Sequence, residues 1–261
     1  MSALLASLDP RGVATLTLNR PEVHNAFDDV LIADLNRVIA EFSLHPEVRL
    51  LVLRAEGKSF SAGADLGWMK RMASYSREDN EADARELERL MRGLHEFPKP
   101  TLALVQGAAY GGAVGLVSCC DIAIASEAAS FSLSEAKLGL APAVISPYVI
   151  AAMGARQASR YFLSAERFSA QRACEIGLVH EVVAADALTG ASEKMISTVL
   201  DNGPVALMAC KALARKISPV SSAEISDYTT TLIASLRTSQ EGQEGLSAFF
   251  EKRAPAWQKK N

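Results

Sequence analysis

The chain of 261 residues is long enough for one large domain with a small appendage, and with 49% hydrophobic residues it can bury a substantial core. A formal net charge of −3 gives no compositional support for a general nucleic-acid or anionic-membrane surface. Cys119, Cys120, Cys174 and Cys210 show no paired-cysteine spacing and read as reduced, small apolar residues, not a disulfide framework. The N-terminus lacks a basic segment followed by a long apolar run. No apolar run approaches the roughly 20 residues that span a bilayer, so a cytoplasmic protein is expected.

Residues 14–18 (ATLTL) alternate apolar and polar side chains, the pattern of a half-buried strand, and Asn19-Arg20-Pro21 ends it. Asp28 and Asp29 then open a helix in which Leu31, Leu35, Val38 and Phe42 recur at helical spacing. Residues 48–53 (VRLLVL) form a more continuously apolar strand, stopped by Glu56-Gly57. Residues 66–95 read as helical, with Leu87, Leu90, Met91 and Leu94 as one apolar stripe. An interruption is expected over the polar stretch 75–80, and Pro98 and Pro100 close the region.

The next strand is 101–105 (TLALV), followed by a glycine-rich turn over 106–115 and a helix of small residues through Val117. Residues 121–125 and 130–133 read as further strands. Strands and helices interleave, which points to an α/β fold. From Pro147 the pattern is mostly helical. Ser169 is the expected N-cap and Gly177 the expected stop of a short helix, and 178–183 holds a brief strand. Beyond Asn202-Gly203-Pro204 several helices follow with no strand between them. The expected division is a core over 1–200 that carries the site and a helical C-terminal region over 201–261.

Three groups carry chemistry. Residues 59–65 (SFSAGAD) and 106–115 are glycine-bearing loops that can aim backbone N–H groups at one oxygen. Glu135 follows a strand and precedes an apolar turn, where desolvation would raise its pKa and suit it to proton exchange. Together these parts suit stabilisation of an enolate derived from a thioester. Gly107, Gly111, Gly112 and Gly115 spell neither a dinucleotide fingerprint nor a P-loop. The histidines His24, His45, His95 and His180 make no metal-spaced pair, and Ser61 is not in a nucleophile elbow. Asp65 and Asp121 read first as turn caps.

On these motifs the chain resembles the enoyl-CoA hydratase/isomerase (crotonase) family over nearly its whole length. The matching residues are Asn19-Arg20-Pro21 with Asn25-Ala26-Phe27, residues 60–65, Gly107 through Asp121, Glu135 with Pro142, Ala173 through Leu178, and residues 250–255 (FEKRAP). The resemblance implies a spiral of ββα units and a C-terminal helical region that assembles trimers, often paired into hexamers. It implies an acyl-CoA substrate and no metal or redox cofactor, the CoA being part of the substrate; neither nucleic acid nor membrane is an expected partner. Residue by residue, it implies an oxyanion hole from the backbone N–H groups of Ala64 and Gly112, with Glu135 as acid and base. Ala26 and the segment Ala62 through Leu66, Asp65 included, are implied to line the CoA groove, and Lys252 to meet the CoA phosphates.

Two departures shape the expectation. Gly115 stands where the family's hydratases carry a second catalytic glutamate, and Ala143 and Val144 replace glycines common after the proline. Residues 65–72 with Tyr75-Ser76 resemble members acting on branched glutaconyl-type CoA esters, of the methylglutaconyl-CoA hydratase kind, in leucine or isoprenoid breakdown. Such a substrate carries a distal carboxylate. The expectation is that this carboxylate helps place the water, that Gly115 leaves room for it, and that Lys70, Arg71 or Arg85 pairs with it. The leading reading is therefore a hydratase. A double-bond isomerase, a decarboxylase and a weakly catalytic acyl-CoA-binding subunit are the alternatives.

Overall fold

The computed structural model describes residues 2–72, 74–216 and 239–258. The chain opens with an antiparallel pair, β1 (Leu4–Leu8) and β2 (Val13–Leu18), joined by a turn in which the Asp9 carboxylate accepts the N–H groups of Arg11 and Val13. β1 has only Leu4 buried, so the apolar alternation that betrays β2 in the sequence is missing from it. Helix α1 (Asp29–Leu44) follows, capped by Asp28, whose side chain accepts the Leu31 N–H.

A repeating unit then builds the molecule. β3 (Leu50–Ala55), β4 (Ser59–Ser61), α2 (Leu66–Met72) and α3 (Arg77–His95) make one turn of it. β5 (Thr101–Val105), β6 (Ala108–Tyr110) and α4 (Gly112–Cys119) make the next, and β7 (Ile122–Ser126), β8 (Ser130–Ser132), α5 (Ser146–Met153) and α6 (Ala155–Ser164) the third. β9 (Arg167–Ser169), α7 (Ala170–Glu175), β10 (Glu181–Val183) and α8 (Leu188–Leu200) complete the core, and α9 (Pro204–Lys216) and α10 (Gln240–Glu251) lie beyond it. Each turn gives its first strand to a six-stranded sheet ordered β1-β2-β3-β5-β7-β10 and its second to a four-stranded sheet ordered β4-β6-β8-β9. Neighbours are parallel except at β1–β2 and β8–β9. This is the expected ββα spiral.

The six-stranded sheet is covered on both faces. Ala103 and Val105 of β5 face the main core, while Leu102 and Leu104 pack with Ile196 and Val199 of α8 on the other side. A strand buried on both faces reads as one apolar run, which is why β5 is plain in the sequence. The short strands of the second sheet, three residues each, carry no such signal. The helical stretch is interrupted as expected, since α2 ends at Met72 and α3 begins at Arg77, but the break does not extend to residue 80. Ser76 accepts the Asp79 N–H and the Asp79 carboxylate reaches back to Ser76, a capping box that restarts the helix at Arg77. Of the residues expected in the break, Tyr75 and Ser76 lie outside the helices and residues 77–80 are the first turn of α3.

The C-terminal helices are tied to the core by polar groups. Asp121, just before β7, accepts the N–H and hydroxyl of Thr101, and Lys211 and Arg215 of α9 both converge on it. Glu241 of α10 accepts the N–H groups of Val205 and Ala206 at the start of α9. Lys211 is almost fully buried, with 6% of its side chain exposed.

Candidate active site

The site is assembled where the ends of β4, β6 and β8 meet the helices that follow them. In the first loop, Phe27 donates its N–H to the Gly63 carbonyl and accepts from the Asp65 N–H, a one-residue parallel bridge opposite Ala64. Gly63 has a φ of 91°, and a Cβ there would sit 3.0 Å from the Tyr110 carbonyl oxygen, so only glycine lets the two loops approach. Arg20 locks the arrangement: its guanidinium holds the Ala26 carbonyl, Asp28 and Asp65. Asp65 in turn accepts the N–H groups of Gly67 and Trp68, starting α2. The Asn19-Arg20-Pro21 motif and residues 60–65 are thus one structure.

The second loop is Gly111-Gly112, at the N-terminus of α4. Gly111, with a φ of 53°, donates to the Ser132 carbonyl, which leaves Gly112 as the first residue of the helix. Among the described residues the N–H groups of Ala64 and Gly112 have no acceptor. The N-terminal dipole of α4 adds to their pull on an oxygen with negative charge.

Glu135 opens the 3₁₀ turn Glu135–Leu138, separated from β8 by Leu133 and Ser134. Its Oε1 rests against Gly111, where a Cβ would lie 3.2 Å from it. Its Oε2 is buried and is the one such side-chain oxygen or nitrogen without a hydrogen-bond partner among the described residues. Burial pushes its carboxyl pKa up, partly offset by its own backbone N–H. A carboxyl held this way is a proton carrier waiting for a substrate atom to pair with.

These groups share a cleft of about 500 Å³. Ala64, Gly112 and Glu135 line it together with Phe27, Leu138 and Ile145, and α2 and α3 wall its other side with Trp68, Met72, Asn80, Asp83 and Leu87. Ala62 and Leu66 also line it. Ala26 is buried beside this loop at 6% exposure, and Asp65 is engaged with Arg20 and the start of α2; neither is among the lining residues. Lys252 is exposed, follows α10 with a φ of 55°, and does not line the cleft.

Two expectations are corrected here. Lys70 is exposed and outside the cleft, Arg71 pairs with Asp29, and Arg85 pairs with Glu81. Helical spacing turns Trp68 and Leu87 inward and these cations outward. Among the described residues no Lys, Arg or His lines the cleft. The second correction concerns Gly115, which leaves no room for a substrate carboxylate. A Cβ on it would meet Ile145 Cγ2 at 2.4 Å, Ile145 Cβ at 2.8 Å and Met91 Sδ at 3.1 Å. Ile145 packs over the position of the absent second glutamate, and that wall of the cleft is apolar. The sequence reading also passed over Asp83, although it sits four residues before Leu87 and seven before Leu90, on the stripe that faces inward.

No group of three or more His, Cys, Asp or Glu side chains that could hold a metal occurs among the described residues. Nor, among them, is any helix long and apolar enough to cross a membrane.

Comparison with known proteins agrees with this geometry. The sequence model of the enoyl-CoA hydratase/isomerase family matches residues 9–260. An enoyl-CoA hydratase from Shewanella pealeana superposes with a TM-score of 0.94 at 50% identity, covering 98% of this chain and 96% of that one. A 2,3-dehydroadipyl-CoA hydratase from Escherichia coli is 32% identical over 98% of both chains. A trans-2-decenoyl-[acyl-carrier-protein] isomerase from Streptococcus mutans is 30% identical over 94% of both. With two glycine loops offering free N–H groups and the Glu135 carboxylate lining the same cleft, the chain belongs to the enoyl-CoA hydratase/isomerase family.

Proposed function

We propose that the protein adds water to the conjugated double bond of an enoyl-CoA, with Glu135 as its single acid and base. The observation that carries the reading is the buried, unpartnered Oε2 of Glu135 in one cleft with two backbone N–H groups without acceptors. The thioester oxygen accepts from Ala64 and Gly112, which draws electrons from the double bond. Glu135 takes a proton from water as the water oxygen bonds to the β-carbon. Negative charge collects on the thioester oxygen as an enolate, and Glu135 returns the proton to the α-carbon. The sum is one water added, with the carboxylate regenerated. Loss of one oxyanion donor typically costs ~10²–10³ in rate. The C-terminal helices would assemble the chain as a trimer or hexamer.

One observation favours a second reading. Ile145 and Met91 fill the space above Gly115, so one wall that would meet water is hydrocarbon. A single carboxylate that moves a proton from one carbon to another needs no water, and one relative bears an isomerase name.

The test follows the ultraviolet absorbance of crotonyl-CoA, 3-methylglutaconyl-CoA and a 3-enoyl-CoA, with product masses. Hydration is expected as loss of conjugated absorbance with the gain of one water, abolished in Glu135→Gln. A gain of absorbance from the 3-enoyl-CoA without mass change identifies the isomerase. Unchanged turnover in Glu135→Gln overturns both readings. Faster hydration of 3-methylglutaconyl-CoA than of crotonyl-CoA would support a branched glutaconyl-type substrate.

A further inference from the structure

We propose that Asp83 forms a polar end to the acyl pocket and selects acyl chains whose far end carries an uncharged hydrogen-bond donor, such as a hydroxyl, over chains that end in a carboxylate. The inference deepens the enoyl-CoA reading and rests on it.

Asp83 is the one charged side chain besides Glu135 among the described residues that line the cleft. It sits on the inner stripe of α3, across from Trp68 of α2. The indole Nε1 of Trp68, a side chain 5% exposed, donates to Asp83 Oδ1 at 3.3 Å. This bond orients the carboxyl, and no hydrogen bond among the described residues engages Oδ2. Met72 and Leu87 flank it with hydrocarbon, and Asn80 lies one helical turn earlier on α3.

Asp83 is not part of the reacting centre. The two carboxyls are carried by different walls of one cleft, Glu135 on the turn that follows β8, against Gly111, and Asp83 on α3, bonded to Trp68 of α2. An acyl chain whose carbonyl sits at Ala64 and Gly112 has its tail free to run toward α2 and α3.

The charges facing Asp83 are few. Asp29 of α1 raises its pKa and Arg71 of α2 lowers it, while burial is the largest cause of the net rise. Arg71 is itself paired with Asp29. A substrate carboxylate at this end would meet an acidic group with no cation lining the cleft beside it. A hydroxyl would find an oriented acceptor. A hydrogen bond to a charged acceptor in a partly desolvated site discriminates strongly, because the analogue that lacks the donor leaves the acceptor unpaired.

Binding of three saturated thioesters that cannot be hydrated reads this out: hexanoyl-CoA, 6-hydroxyhexanoyl-CoA and adipyl-CoA, titrated calorimetrically. The wild type should bind the hydroxy chain at least about tenfold more tightly than the carboxy chain. Asp83→Leu should erase that gap while keeping affinity for hexanoyl-CoA. Asp83→Asn, which keeps an acceptor but no charge, should mainly relieve the penalty on adipyl-CoA. Trp68→Phe, which frees the carboxyl, should narrow the preference without reversing it. Adipyl-CoA binding as well as the hydroxy chain in the wild type, or an unchanged ranking in a folded Asp83→Leu, overturns the proposal alone. Failure of all three to bind overturns the CoA-ester reading and this proposal with it.

Discussion

At the scale of single residues, Glu135 concentrates the chemistry and its cost. A carboxylate whose Oε2 is buried without a partner is destabilising when ionised, and the shift runs toward the protonated form. The folded state therefore holds this proton to higher pH than the unfolded chain, whose value is 4.5. Below 4.5 both states are protonated and Glu135 carries no penalty. As pH rises through the folded-state value the stability is progressively lost, and it stays lost above it. Glu135→Gln should thus match the wild type in thermal unfolding in acid and exceed it at neutral pH. A constant difference at all pH values would show that the carboxylate is not desolvated in solution. The same shift predicts that kcat/KM falls on acidification with a midpoint above 4.5, because the base must be ionised to accept a proton.

At the scale of elements, the contact between α4 and the turn before α5 decides what chemistry the cleft can hold. Gly115 is buried in α4, and Ile145 and Met91 close over it. Gly115→Ala should destabilise the fold by ~1–3 kcal/mol through overpacking, although alanine is the better helix former. Combining it with Ile145→Ala removes the 2.4 Å contact to Cγ2 but leaves the 2.8 Å contact to Cβ, so part of the loss should return. Urea denaturation of the two single variants and the double variant measures this coupling. If the pair is strictly additive, Ile145 does not occupy that space. A glutamate placed at 115 alone would displace the wall before it could reach a substrate.

At the scale of the whole molecule, Asp121 is the fastening between the sheet and the C-terminal helices. It takes two hydrogen bonds from Thr101 and the charges of Lys211 and Arg215. Burial is the main reason that the Lys211 pKa falls to about 8, and Asp121 opposes that fall. Asp121→Ala would leave a nearly buried ammonium without its counter-ion, a loss of ~3–5 kcal/mol. The urea midpoint should fall accordingly, with α9 loosening first in hydrogen exchange. A change within experimental error would mean that apolar packing alone holds α9.

What the sequence by itself determined was set by local rules. Asp28 and Ser169 are side-chain caps, Gly177 has the positive φ of a helix stop, and β5 is an apolar run because both of its faces are covered. Ordered motifs were enough for the family, since glycines at 63 and 111 serve a backbone requirement that no other residue meets as cheaply. The tertiary structure alone decided the rest. The second sheet is made of three-residue strands, of which β8 was legible within residues 130–133, while β4, β6 and β9 are too short to carry a period and are revealed by their pairing. Whether Gly115 is a vacancy or a packed contact depends on Ile145, thirty residues away in the chain and adjacent only after folding. Lys70, Arg71 and Arg85 face outward and Asp83 faces the cleft because the pitch of α2 and α3 assigns sides that composition cannot.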